Sequence, residues 1–278
     1  MPYLDRDSRR LHYRAGGEGD VTVFFEAGMG KSRSTWALVE PLVAEFAKTV
    51  VYDRAGLGLS DPDDGGREFP RLLSDHIAVL DATVEAPCIL VGHSYGGPIV
   101  RIAATQRPEI ASAVVLVDEV CELVTPQQMK VAMRGASVLY SSQVALARTG
   151  ILRSVLSRSY YRTLSGDKLA TALDEGATVT AARAAQEEWR AFLASFQALH
   201  DDGPFVPNVP ITSISSNRIL DEKGRENRDF LGSAQRKICE YASDGRHVYS
   251  DGRSHYLQFT EPKLVANEIQ LAVSRVCG

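Results

Sequence analysis

The stretch Gly92-His93-Ser94-Tyr95-Gly96 has the form G-x-S-x-G. Residues of this type and spacing do nucleophilic chemistry. Small residues two places before and after let the chain crowd around a sharp turn that projects the central side chain. The context fits the motif. Cys88, Ile89, Leu90 and Val91 make an apolar run before it, and residues 99–104 continue as a helix after it. A serine at a strand-to-helix turn stands at a helix N-terminus, where developing negative charge is stabilised. Alone, G-x-S-x-G also describes an incidental Gly-rich loop. With strand and helix on either side, it makes Ser94 the candidate nucleophile. The amide of Tyr95, the next residue, is then a candidate oxyanion donor.

A serine nucleophile needs a base, and the base needs an acid to hold its working tautomer. Six histidines compete: His12, His76, His93, His200, His247 and His255. The base must reach Ser94 from a loop at the C-terminal edge of a sheet. His255 sits between a strand-like stretch (residues 247–249) and the last amphipathic helix, which meets that requirement. His247 falls within the strand and reads as structural. His93 adjoins the nucleophile and suits packing or hydrogen bonding, while His12 and His76 fit surface or core positions.

The elements that must position these groups alternate along the first half of the chain. Strand-like runs at residues 21–25, 49–52, 88–91 and 113–117 alternate with helix-like segments at 36–47, 72–80 and 99–104. In the segment 36–47, Trp36, Val39, Val43 and Phe46 recur at helical spacing. Continuous apolar strands joined by helices imply an α/β fold, with a mostly parallel central sheet and helices on both faces. Residues 125–200 show no strand pattern but many helix formers, and Trp189, Phe192 and Phe196 share a helix face. Strand-like sequence returns at 211–214 and 247–249. A last helix follows, with Thr260 as N-cap, Pro262 in its first turn, and Leu264, Val265, Ile269 and Val273 inward. The expected layout is a core of residues 1–120 and 205–278 with a helical cap at 121–204.

Three further stretches stand beside the nucleophile turn: Glu26-Ala27-Gly28-Met29-Gly30, Tyr52-Asp53-Arg54-Ala55-Gly56-Leu57-Gly58-Leu59-Ser60, and Ser254-His255-Tyr256. With them the chain resembles the α/β-hydrolase fold superfamily, of the cap-containing type that includes many bacterial carboxylesterases and lactonases. The resemblance covers nearly everything outside the cap. It implies that His255 is the base and that the second oxyanion donor follows the first of these stretches. The family's usual His-Gly pair stands here as Ala27-Gly28, so Met29 is the expected donor. The resemblance also implies that the acid follows one of two strands. Asp118 directly follows residues 113–117 and is the first candidate, with helix capping or an ion pair as its structural alternative. After residues 211–214 the family's acidic positions hold Asn217, Arg218 and Ile219, with Asp221 about two residues late. Asp221 and Glu119 remain alternatives. The polar stretch 220–229 reads as a mobile surface loop. Asp53 and Arg54 read as anchors of their glycine-rich turn. Relatives that open epoxides or remove halogens use Asp where this chain has Ser94, which disfavours those reactions.

Composition bounds the rest. At 278 residues the chain is one large domain or a domain with an insertion. It is 44% hydrophobic and 24% charged, ordinary for a globular protein. A net charge of −4 leaves no footprint for nucleic acid. No apolar stretch approaches the roughly 18 residues of a membrane span. The opening MPYLDRDSRR lacks the apolar core of a signal peptide. Cys88, Cys121, Cys239 and Cys277 are scattered without metal-ligand spacing. These features predict a cytoplasmic protein without metal or organic cofactor, whose partner is a small-molecule substrate. Met129, Met133, Tyr140, Tyr160, Tyr161, Trp189, Phe192 and Phe196 are candidates for the pocket wall, though most of them are expected to pack cap on core. No basic cluster in the cap points to a polyanionic substrate. The expected reaction is hydrolysis of a small to medium apolar ester or lactone through an acyl-enzyme. Alternatives are C–C bond or amide hydrolysis, acyl transfer, or a non-catalytic small-ligand receptor.

Overall fold

The computed structural model describes residues 2–217, 222–252 and 254–277. Among them, eight strands form one sheet: β1 (Tyr3–Arg6), β2 (Arg9–Gly16), β3 (Thr22–Glu26), β4 (Lys48–Tyr52), β5 (Cys88–His93), β6 (Ala111–Val117), β7 (Ile211–Ser215) and β8 (Gly245–Tyr249). Their spatial order is β1-β2-β4-β3-β5-β6-β7-β8. The pairs β1/β2 and β2/β4 are antiparallel, and every other pair is parallel.

Both faces of the central strands are buried, and the alternation along them is clean. Phe24, Leu90, Val114 and Leu116 enter one apolar cluster; Val23, Phe25, Ile89, Val91 and Val115 enter the other. Successive side chains point to opposite faces, so runs buried on both sides carry no polar positions. Helices α1 (Glu40–Val43), α2 (Phe69–Thr83) and α3 (Gly96–Gln106) connect the early strands. Five helices lie between β6 and β7: α4 (Pro126–Ala132), α5 (Ala136–Arg148), α6 (Ile151–Arg158), α7 (Gly166–Gly176) and α8 (Val179–Asp202). The chain ends with α9 (Glu222–Tyr241), α10 (Leu257–Thr260) and α11 (Pro262–Cys277).

Three expectations are corrected and one element is new. The hairpin β1–β2 was not expected from the sequence. Residues 36–47 do not form one helix: a 3₁₀ turn at Arg33–Trp36 precedes the single turn α1, with Pro41 in its first turn. Pro41 has no N–H for a helix interior, so the helix restarts there. Trp36, Val39 and Val43 are nevertheless buried. Thr260 closes α10 instead of capping α11. Residues 222–229 are helical and open α9 instead of forming a loop.

The chain leaves β3 toward β4, then returns across β3 to β5. Such a reversal opens a crevice at the C-terminal ends of the two strands, where ligands bind in open α/β sheets. The loops after β3, β5 and β6 converge there.

Candidate active site

Ser94 occupies the turn between β5 and α3 with φ of +53°. A non-glycine residue there is strained by about 1–3 kcal/mol, and the surroundings must impose it. The crowding is visible at the flanking glycines. A Cβ on Gly92 would lie 2.6 Å from the carbonyl oxygen of Gly96, and one on Gly96 would lie 2.8 Å from that of Ala27. No other residue fits either place, which is why the motif demands glycine there.

His255 Nε2 lies 2.9 Å from Ser94 Oγ, and its Nδ1 lies 2.6 Å from Asp118 Oδ2. Asp118 closes β6 with φ of +43° and is buried. The backbone amide of Ser216 donates to Asp118 Oδ1, and the Ser216 hydroxyl donates to Oδ2, both at 3.0 Å. These bonds fix the carboxylate plane from the end of β7. Ser216 was not singled out by the sequence, because a serine after a strand carries no signal of its own. Asp221 lies outside the described residues. Glu119 engages Arg101 at 3.0 Å instead of any histidine. Burial pushes the Glu119 carboxyl up to about 7, with Arg101 opposing.

His93 is fully buried beside this array. Its Nε2 donates to the carbonyl oxygen of His255 at 3.1 Å, and the two ring centroids are 4.8 Å apart. Burial pushes His93 down to about 3, so the ring is neutral. The loop that carries His255 is thereby tied to the residue before Ser94. His247 bonds Ser215 Oγ at 2.8 Å, and His12 and His76 bond Asp53 and Glu26, all away from Ser94.

The loop after β3 is held by Arg54. Its guanidinium donates to the carbonyl oxygens of Ala27 at 2.8 Å and Gly28 at 2.7 Å. The same group pairs with Glu26 and Glu188, and Glu188 on α8 accepts the Gly30 amide at 2.6 Å. The loop is thus anchored by a buried cation. Asp53 holds the neighbouring turn by accepting from the Arg33 amide at 2.8 Å and the Leu59 amide at 3.2 Å. Among the described residues, neither the Met29 nor the Tyr95 amide donates to a protein acceptor. Both residues border the same cavity as Ser94.

That cavity has a volume of about 300 Å³ and is lined by Ser94, Asp118 and His255 together with Met129, Met133 and Tyr140. A second lobe of about 650 Å³ adjoins it, with Lys31, Leu139 and Tyr256 on both walls. Tyr160 lines the second lobe, and Tyr161 borders a small gap behind it. Trp189, Phe192 and Phe196 instead stack in series, with Phe192 against Tyr95, and pack the core. Lys31 was missed by the sequence. Its only signal is a lysine directly after the glycine turn that follows β3.

The sheet order and the strained turn at Ser94 define an α/β-hydrolase fold. A model of the alpha/beta hydrolase family matches residues 23–268, and the chain belongs to that family. It is similar to the strigolactone esterase of Arabidopsis thaliana, 32% identical over 111 residues, which is 38% of this chain and 42% of that one. The chain spans about two fifths of the length of the plant relatives it matches. Among solved structures, the epoxide hydrolase CorEH superposes with a TM-score of 0.76 at 16% identity, over 99% of this chain and 98% of that one. The enol-lactonase from Burkholderia xenovorans gives a TM-score of 0.64 at 20% identity, over 98% and 100%. At these identities the two structures speak for the fold. Among the described residues, no helix is long and apolar enough to cross a membrane.

Proposed function

We propose that this chain is a serine hydrolase that cleaves a small to medium apolar carboxylic ester or lactone through an acyl-enzyme. The observation that carries the reading is the continuous relay from Ser94 Oγ through His255 to Asp118, at 2.9 and 2.6 Å. Ser94 Oγ attacks the carbonyl carbon while His255 Nε2 takes its proton. Asp118 holds Nδ1–H and stabilises the imidazolium. The amides of Met29 and Tyr95 face the oxyanion; losing one such donor typically costs about 3 kcal/mol. Collapse expels the alcohol, which takes the proton from His255. Water, activated by the same imidazole, then releases the acid.

Residues 121–204 act as the cap in this reading, over a core of residues 1–120 and 205–278. Likeness to an esterase supports the bond class. Epoxide opening fits the chemistry less well. A serine alkoxide would leave an alkyl ether on the enzyme, which has no carbonyl for water to attack. Four unpaired cysteines suit a reducing, cytoplasmic setting.

The test is turnover of a panel of p-nitrophenyl esters and lactones, with Ser94→Ala as control. Ester turnover that depends on Ser94 and survives dialysis against EDTA is the expected result. Turnover of epoxides alone, or activity restored only by a divalent metal, would overturn the reading.

A further inference from the structure

Lys31 stands where the triad cavity meets the second lobe. Its ammonium lies 4.0 Å from the centroid of the Tyr160 ring, on the ring face. Among the described residues it makes no hydrogen bond or ion pair. The acid that acts on it most strongly is Glu188. That carboxylate is already engaged by Arg54, Arg67 and the Gly30 amide. The ammonium therefore lacks a counter-charge of its own.

The second lobe has a matching character. Leu146, Leu152, Val155, Leu156 and Phe259 give it an apolar wall. Its lining includes two cations, Lys31 and Arg162, and no Asp or Glu among the described residues. An ammonium taken from water without a partner is costly. Burial accordingly pushes Lys31 down to about 8, against the pull of Glu188, so the charge persists at neutral pH. An apolar wall calls for hydrocarbon, and an uncompensated ammonium calls for one anionic group. Arg162 is exposed, so a single lysine serves the junction. One carboxylate matches that better than a phosphoryl dianion.

We infer that the second lobe and Lys31 form a carboxylate-selective subsite, so that the preferred substrate is an ester or lactone bearing one carboxylate on a hydrocarbon portion that enters the lobe. The inference rests on the ester-hydrolase reading of Ser94 and narrows its substrate class. Hydrolysis itself is unchanged: water adds across the acyl–oxygen bond, and the carboxylate on the substrate is a spectator held by Lys31.

Two matched pairs of aryl esters test it. Mono-p-nitrophenyl glutarate against p-nitrophenyl pentanoate places the carboxylate on the acyl side. Para-acetoxybenzoate against its methyl ester places it on the leaving group. A hydrogen-bonded charge contact is worth about 1.5–3 kcal/mol, or roughly tenfold to a hundredfold. In at least one pair, kcat/KM should favour the carboxylate by about that factor. Lys31→Met should lower the carboxylate member at least tenfold more than its neutral partner, and Lys31→Arg should restore part of the preference. Calorimetric titration with pentanoate, scored against pentanamide, reads the subsite without turnover and serves if no ester is cleaved. A wild-type preference for the neutral ester in both pairs overturns the inference. So does equal loss on both members in Lys31→Met, or pentanoate binding no tighter than pentanamide. Ser94-dependent turnover of neutral esters would, in that event, leave the hydrolase reading standing.

Discussion

The backbone of Ser94 is bonded on both sides of Asp118: its amide donates to the carbonyl oxygen of Val117 at 3.1 Å, and its carbonyl oxygen accepts from the amide of Val120 at 2.9 Å. Ser94 and Asp118 are thus neighbours in the sheet, each closing one of two paired parallel strands and each with positive φ. The strain of one turn is held by the other. His255 arrives from a separate loop and completes a relay whose two ends are already fixed.

That clamp makes Ser94→Ala a clean test. The methyl group keeps the turn and removes only the Ser94 hydroxyl. We expect kcat to fall by roughly 10⁴- to 10⁶-fold with an unchanged melting curve. A serine-directed phosphonate should label Ser94 and no other serine. Labelling elsewhere, or full activity in the variant, would remove Ser94 from the mechanism.

Asp118 should matter through the tautomer of His255. Asp118→Asn keeps the shape but presents a donor to Nδ1, which favours the wrong tautomer and costs up to about 10⁴ in kcat. With Asp118 as the orienting acid, Asp221→Asn should cost less than about tenfold. If the two variants rank the other way, the orienting acid is Asp221 and the relay seen here is not the working one.

The turn at Ser94 was legible because G-x-S-x-G has a steric cause that works at short range. Asp118 was legible as a position after an apolar strand, but its partner Ser216 was not, since their contact joins residues far apart in the chain. The hairpin β1–β2 was hidden by its charges. Arg9 lies within β2 and is buried, yet it pairs with Asp75 at 2.8 Å on α2, so its burial cannot be read from hydropathy. The start of α9 was hidden by its charges as well, although Ala234, Ile238 and Cys239 further along return at helical spacing and are buried. Lys31 carried no pattern. A lone lysine after a turn is usually solvated, and only the fold shows that this one faces a cavity.

His93 offers a test in which stability and catalysis are read separately. Its folded pKa of about 3 lies below the usual histidine value of roughly 6.5 in the unfolded chain. The stability tied to its neutral ring is complete above that unfolded value and is lost as pH falls toward 3. His93→Phe removes both the titration and the donor to the His255 carbonyl. The wild type should therefore lose more melting temperature than the variant between pH 6.5 and 4. At neutral pH the variant should lose roughly tenfold in kcat, because a displaced base is inefficient. Parallel melting curves would show that His93 is not the titrating group.

Lys31 makes the same kind of demand at higher pH. Burial places its folded pKa at about 8, below the roughly 10.4 of a free lysine side chain. Between those values the unfolded chain binds the extra proton, so wild-type stability rises with pH across that window. Below pH 8 the folded protein carries the cost of the half-buried ammonium. Lys31→Met removes that cost and should melt a few degrees higher than the wild type at pH 7. The gap should narrow as pH rises from about 8 to 10.4, where the wild-type lysine is already neutral when folded. Adding pentanoate at pH 7 should raise the wild-type melting temperature more than that of the variant, since a ligand that binds only the folded state stabilises it. A variant that melts no higher at pH 7, or a gap constant across the window, would mean that Lys31 is solvated and carries no unmet charge for a substrate to satisfy.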